Sequence, residues 1–160
     1  MKRIAVFCGA SLGFDPVYKK AAIALGKYFA HHKIGLVYGG GKIGMMGAIA
    51  NTILAHKGEV IGVIPKLLEK EEVVHADVEE MIVCKKMSER KVIISKLVDA
   101  YITLPGGFGT LDELFEALTL GQLHIEQKPI GLLNVNGFFD AILVQLDKMV
   151  SEGFLKQDNR

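Results

Sequence analysis

Ala100-Tyr101-Ile102-Thr103-Leu104-Pro105-Gly106-Gly107-Phe108-Gly109-Thr110-Leu111-Asp112-Glu113 is the stretch that decides the fold. Its first five residues form an apolar, partly β-branched run that suits a strand covered on both faces. From Leu111 to Leu123 apolar residues return at helical spacing. The turn between carries glycine at 106, 107 and 109. Such a turn presents backbone N–H groups at the positive end of the following helix, where an anion is stabilised. Glu113 is expected in the first turn of that helix. An anion site and a carboxylate so close together point to chemistry on a phosphorylated substrate.

The same strand–turn–helix unit recurs on either side. Ile4 to Cys8 is an apolar run followed by the turn Gly9-Ala10-Ser11, and Asp15-Pro16 reads as the cap and first residue of a helix ending at His31-His32. Ile34 to Tyr38 is a second strand, running into the glycine-rich turn Gly39 to Gly47 and a helix that ends near Lys57-Gly58. Val60 to Ile64 is a third strand stopped by Pro65, and Glu80 to Cys84 a fourth after a Glu- and Lys-rich loop. Met87 opens the helix before the central stretch. Pro129 to Asn134 is a sixth strand; Asn136-Gly137 is a turn, and Phe138 to Gly153 the last helix. Strands and helices alternate with no strong hairpin signal. This predicts an α/β fold: a Rossmann-like, doubly wound parallel sheet with helices on both faces, as one domain over residues 1–160.

The 160 residues are 50% hydrophobic, enough for a sizeable core. A formal net charge of +1 supplies no field that would draw the chain to nucleic acid or an acidic membrane. The apolar run after Met1-Lys2-Arg3 has strand length, not that of a signal segment. No run approaches the ~18 residues of a membrane-spanning helix. The two cysteines, Cys8 and Cys84, each end an apolar run and are expected as buried, reduced thiols. A cytoplasmic protein is the expectation. No spacing of Cys, His or acidic residues suggests a metal.

Gly39-x-Gly41-x-x-Gly44 matches the dinucleotide fingerprint in form only. It follows the second strand instead of the first, and no acidic residue ends the next strand to hold a ribose. A Walker A loop fails as well, because Met45 follows Gly44 where Lys is required. In an open parallel sheet, ligands bind outside the carboxyl ends of the strands where strand order reverses. The turns at Gly9 to Ser11, at Gly39 to Gly47 (with Gly40, Gly41 and Gly44) and at Gly106 to Thr110 all leave such ends. Together they suggest one crevice for a monophosphorylated ligand.

Three motifs carry a family resemblance: Gly39-Gly40-Gly41-x-x-Gly44-x-Met46-Gly47, Met87-x-Glu89-Arg90-Lys91, and Pro105-Gly106-Gly107-x-Gly109-Thr110-x-x-Glu113. In order and spacing the chain resembles the LONELY GUY (LOG) family from Arg3 to Leu155. These are cytokinin riboside 5′-monophosphate phosphoribohydrolases, many of which carry the label "possible lysine decarboxylase". The resemblance implies hydrolysis of the N-glycosidic bond of a nucleoside 5′-monophosphate, giving a free base and ribose 5-phosphate. That bond breaks with positive charge growing on the ribose, which an ionised carboxylate beside C1′ stabilises while activating water. The resemblance assigns that carboxylate to Glu113 and catalytic charge to Arg90, with Lys91 beside it. It implies that Gly107, Phe108, Gly109, Thr110, Leu111, Asp112 and Glu113 wrap the phosphate and ribose. It also places Thr119 toward the pocket, puts Glu72 near the base or ribose, and suggests a homodimer. No cofactor is expected. A decarboxylase would need pyridoxal phosphate on a Schiff-base lysine, and Lys91 is the only candidate. Two alternatives remain: an AMP-preferring nucleosidase of nucleotide salvage, and a non-catalytic carrier of a phosphorylated cofactor resembling the molybdenum cofactor carrier proteins.

Overall fold

The computed structural model describes residues 2–68 and 74–160. Among these, β1 (Arg3–Phe7), β2 (Gly35–Tyr38), β3 (Val60–Pro65), β4 (Glu80–Cys84), β5 (Ala100–Thr103) and β6 (Ile130–Leu132) form a parallel sheet in the order β4-β3-β2-β1-β5-β6. The doubly wound α/β architecture follows directly. The chain steps outward from β1 to β4, then returns to the far side of β1 to lay down β5. Strand order therefore reverses between β1 and β5. Their register sets Phe7 beside Thr103, so both strands end at the same level.

Side chains alternate across this sheet. Ile4, Val6, Leu36 and Tyr38 face α1 (Pro16–His32) and α2 (Gly44–Ala55), where Phe29, Ile49 and Ile53 are fully buried. Ala5, Phe7, Val37, Ile61 and Val63 face the other way, toward α3 (Met87–Leu97) and α4 (Phe108–Gln122), meeting Ile94 and Ala117. Apolar residues on both faces of β1, β2 and β3 explain why those segments read as unbroken hydrophobic runs. β6 is an edge strand with half-exposed residues, followed by a 3-10 turn (Val135–Gly137) and α5 (Asp140–Ser151).

Local chemistry sets the boundaries. Asp15 accepts a hydrogen bond from the Val17 N–H (2.9 Å) and Pro16 opens α1. Lys33 closes α1 in the left-handed conformation. Helix α2 starts at Gly44, inside the segment expected as turn, and α4 starts at Phe108, three residues before the apolar periodicity begins. The last helix begins at Asp140, because Asn136 and Gly137 both adopt positive φ and hold Phe138 outside it. No described helix is long and apolar enough to cross a membrane.

The chain after β3 returns to the β2–α2 turn through His75. Its backbone N–H donates to the Gly40 carbonyl (3.1 Å), and its ring Nε2 pairs with Asn51 Oδ1 at 3.0 Å. The ring is 1% exposed. Burial lowers its pKa below the ordinary 6.5; Asp77 opposes this and Lys42 adds to it. The folded protein thus binds fewer protons here than the unfolded chain. This contribution to stability is complete above pH 6.5 and is lost as pH falls from there toward the lowered folded value. We predict that the urea midpoint drops between pH 7.5 and 5.5, and that the drop is smaller in His75→Gln. An identical pH dependence in the two proteins would refute this role.

Candidate active site

Two turns meet where the strand order reverses. The Gly9 N–H donates to the Pro105 carbonyl (3.0 Å) and Leu104 N–H to the Phe7 carbonyl (2.9 Å), so the turns after β1 and β5 lie side by side. The Met45 N–H donates to the carbonyls of Gly9 (3.1 Å) and Ser11 (3.3 Å), which fastens the third turn to the first. Gly44 makes that contact possible: it has φ of +65°, and a Cβ there would collide with the Ala10 backbone. Above the junction opens a cleft of about 350 Å³, lined by Cys8, Gly9, Gly107, Gly109, Thr110, Arg90 and Glu113.

Arg90 and Glu113 face each other in this cleft. The guanidinium Nη2 lies 3.7 Å from Glu113 Oε1, and the two side chains are only 7% and 15% exposed. Arg90 reaches the site along a channel left by Gly39, where a Cβ would occupy the place of its guanidinium. Its Nη1 contacts Met87 Sδ at 3.9 Å, while Nε is buried with no hydrogen-bond partner among the described residues. A buried guanidinium with an unmet donor beside a carboxylate beyond close ion-pair distance suits a site that receives oxygen ligands. Cys8 completes the floor; burial and the negative charge of Glu113 push its thiol pKa well up, so it stays protonated.

The glycines of the central turn divide into two kinds. At Gly106 a Cβ would collide with the Thr110 hydroxyl, so glycine is required by the protein's own packing. At Gly107 and Gly109 an added Cβ would meet nothing within 4 Å. Neither needs to be glycine for the fold, and Gly109 lies inside α4, where glycine is unfavourable by roughly 0.5–1 kcal/mol relative to alanine. Gly107, the N-cap, supplies no side-chain acceptor for the first N–H groups of the helix. The result is a bare, positively polarised helix end opening on the cleft.

Several expected positions take other roles. Glu113 lies in the second turn of α4, not the first, because the helix begins at Phe108; the first turn holds Thr110, 4% exposed. Lys91 turns away from the cleft and bridges α3 to α4, pairing with Asp112 (2.8 Å) and Glu116. Burial disfavours its ammonium, but these hydrogen bonds outweigh that and raise its pKa. A Schiff-base lysine needs the opposite, so the residues do not fit pyridoxal phosphate. Glu89 accepts the Lys85 N–H (2.8 Å) and serves the start of α3. Gly40, Gly41 and Gly44 shape their own turn: Gly40 has φ of +82° beneath Met81, and Gly41 bridges to Val74. They do not line the cleft. Phe108 is 94% exposed, Leu111 is half-buried at its position behind the helix end, and the exposed Thr119 bonds the Phe115 carbonyl (2.7 Å) instead of reaching the cleft. Glu72 lies outside the described residues. Among the described residues no three His, Cys, Asp or Glu converge as metal ligands. Met46 and Met87, quoted in the motifs but given no role there, also line the cleft, as does Leu68, which the sequence did not mark and which reads as an ordinary loop residue.

A family model described as "possible lysine decarboxylase" matches residues 46–160. A protein of Arabidopsis thaliana named "probable cytokinin riboside 5′-monophosphate phosphoribohydrolase" is 50% identical over 154 residues, covering 96% of this chain and 77% of the relative. The cytokinin riboside 5′-monophosphate phosphoribohydrolase LOG of Oryza sativa subsp. japonica is 47% identical over 159 residues, with 99% of this chain and 66% of the relative covered. Among solved structures, the molybdenum cofactor binding protein of Rippkaea orientalis superposes with a TM-score of 0.71 at 26% identity, covering 92% of this chain and 85% of that one. The parallel sheet, the glycine turns at its reversal point and the Arg90–Glu113 pair thus sit in a sequence shared along nearly its whole length with these hydrolases, and the chain belongs to the LOG family of cytokinin riboside 5′-monophosphate phosphoribohydrolases.

Proposed function

We propose that this protein hydrolyses the N-glycosidic bond of purine nucleoside 5′-monophosphates of the cytokinin type, releasing the free base and ribose 5-phosphate. One observation carries the reading: glycines that the fold does not require, at 107 and 109, open a helix end beside a largely buried carboxylate–guanidinium pair. The phosphate is held by the unpaired N–H groups at the start of α4 and by the Thr110 hydroxyl. The ribose then lies one helical turn further on, at Glu113. As the bond from C1′ to the base nitrogen breaks, its electron pair leaves with the base, which takes up a proton. Glu113 stabilises the positive charge on the sugar and accepts the proton of the water that adds to C1′. Arg90 orients sugar or phosphate oxygens with the donors that the protein leaves open.

The likeness to a cofactor-binding protein of the same fold favours a second reading, a carrier that binds without cleaving. Incubation with isopentenyladenosine monophosphate and with AMP, followed by chromatography for free base, separates the two readings. It also tells a cytokinin-directed enzyme from an AMP-preferring one. Tight binding of both nucleotides with no base released would reject the hydrolase. We expect Glu113→Gln to lower kcat by about 10²–10⁴-fold with an unchanged melting temperature, the range for loss of a general acid–base group. Near-normal turnover would remove Glu113 from the mechanism.

Gly109→Ala tests the phosphate site in a way that packing alone cannot imitate. Alanine fits the space and favours the helix, so stability should rise by roughly 0.5–1 kcal/mol. The added methyl stands where the phosphate approaches, so KM for the nucleotide should rise at the same time. Unchanged KM would show that the phosphate binds elsewhere.

A homodimer and a cytoplasmic location belong to the same proposal. The buried free thiols Cys8 and Cys84 are compatible with a reducing compartment. Leu123, Ile125 and Val144 are 58–67% exposed, and their burial against a second copy is part of the proposal. Light scattering should give twice the 17.5 kDa chain mass; a monomer at micromolar concentration would contradict this.

A further inference from the structure

The two faces of the sheet are covered differently. On one, α1 and α2 pack side by side; on the other, α3 and α4 rest on the strands while their backbones come close to each other hardly anywhere. A cavity of about 30 Å³ lies between α3 and α4, lined by the apolar Phe7, Ile94 and Ala117 and by Lys91, Glu113 and Glu116. Protein interiors are otherwise close-packed, and a gap forfeits the dispersion contacts that would hold two elements at one distance. Polar side chains span the space instead. Lys91 of α3 pairs with Asp112 (2.8 Å) and Glu116 of α4. Further along α3 the Ser95 hydroxyl donates to Glu126, which also accepts from the Tyr101 hydroxyl (2.8 Å).

We infer that Lys91 and Glu116 are positioning residues for the reaction: their ion pair sets the spacing of α3 and α4, and with it the 3.7 Å between Arg90 and Glu113. The inference rests on the hydrolase reading. The clasp stands at the level of the site, since Lys91 follows Arg90 on α3 and Asp112 precedes Glu113 on α4. Asp112 and Glu116 are four residues apart, so they lie on one face of α4 and converge on a single ammonium. A three-point contact of this kind resists both sliding and separation of the two helices. The site needs that restraint, because a misplacement of about 1 Å at the reacting groups can cost about 10²-fold in rate.

The surroundings of the clasp separate this role from direct chemistry and from plain stability. Lys91 and Glu116 border the gap between the helices, and neither is among the described residues that line the cleft. Asp112 borders the cleft as well, so Lys91 and Glu116 are the two that can be varied without altering the cleft wall. The Lys91, Asp112 and Glu116 side chains are 21%, 61% and 38% exposed, and ion pairs so placed add little to stability. Their effect is on geometry. The bonds of Ser95 and Tyr101 to Glu126 tie α3 down more than a helical turn beyond Arg90, where they support the fold and not the site.

The test is kcat and KM for isopentenyladenosine monophosphate, with the melting temperature measured alongside. We expect Lys91→Met to lower kcat about 10–100-fold while KM and the melting temperature change far less, and Lys91→Arg to keep most of the rate. Lys91→Glu should be at least as slow as Lys91→Met, and adding Glu116→Lys to it should bring kcat back to within about 5-fold of wild type, since the reversed pair restores the clasp. Glu126→Gln should lower the melting temperature and leave kcat near wild type. A reversed pair no faster than Lys91→Glu would show that the ammonium itself is needed at position 91. Wild-type kcat in Lys91→Met would show that the spacing does not depend on the clasp. Either result overturns the inference, as does a Glu126→Gln protein slowed as much as Lys91→Met. Base release by the wild type with any of these results removes this role alone; no base release by the wild type removes the hydrolase reading and this role with it.

Discussion

A buried guanidinium and a largely buried carboxylate 3.7 Å apart form the constraint around which the cleft is arranged. Removing two such charges from water is costly, and the cost is offset only when the remaining donors and acceptors are met. Here Arg90 Nε has no hydrogen-bond partner among the described residues. The arrangement accounts for details that would otherwise look unrelated. Gly39 lacks a side chain because the Arg90 guanidinium occupies that place. Methionine flanks the guanidinium, with the Met87 sulfur against Nη1 and the Met46 sulfur beside Nη2. Lys91, one residue further, pairs with Asp112 and Glu116 and so locks α3 to α4. That clasp holds the helix of Arg90 against the helix of Glu113, and so sets the width of the cleft.

The backbone divides its labour in the same manner. Gly44 and Gly106 permit close approaches between the turns themselves, and the hydrogen bonds from Gly9 and Met45 weld those turns into one platform. Gly107 and Gly109 lie on that platform without any packing need for glycine. A fold that carries unfavourable residues where alanine would fit is giving up local stability to keep a surface bare.

Much of this was legible in the chain. Strands buried on both faces write themselves as runs such as Val60 to Ile64, and Asp15-Pro16 marks its helix through capping chemistry alone. The turns after β1 and β5, which meet at the reversal point, were two of the three glycine-containing turns that the sequence marks at strand ends. Three features were hidden for physical reasons. The start of α4 has no polar cap, since Gly107 leaves that position empty, so the helix was read from its apolar stripe and begun at Leu111; Glu113 moved from first turn to second as a result. Adjacent residues on a helix diverge by about 100°, so Arg90 and Lys91, read together as one cationic pair, point to different partners. The glycine run at Gly39 to Gly44 looks like a phosphate loop, yet its glycines are explained by Arg90, Met81 and the Ala10 backbone, contacts distant in sequence.

The fold alone does not choose between binding a phosphorylated molecule and cleaving one. Strand order, turn positions and a polarised helix end serve either purpose. What differs is the charge placed beyond the anion site. A carrier gains nothing from a nearly buried carboxylate one turn past the phosphate, because ground-state binding of an anion is weakened by it. A hydrolase that builds positive charge on a sugar gains there and only there, since the carboxylate meets that charge in the transition state and not before. Arg90 then has a second purpose: its positive charge offsets the repulsion between Glu113 and the incoming phosphate, allowing a dianionic substrate to approach the carboxylate that the reaction needs. The pair is thus better understood as a device for holding an anion and a carboxylate together than as a stabilising salt bridge.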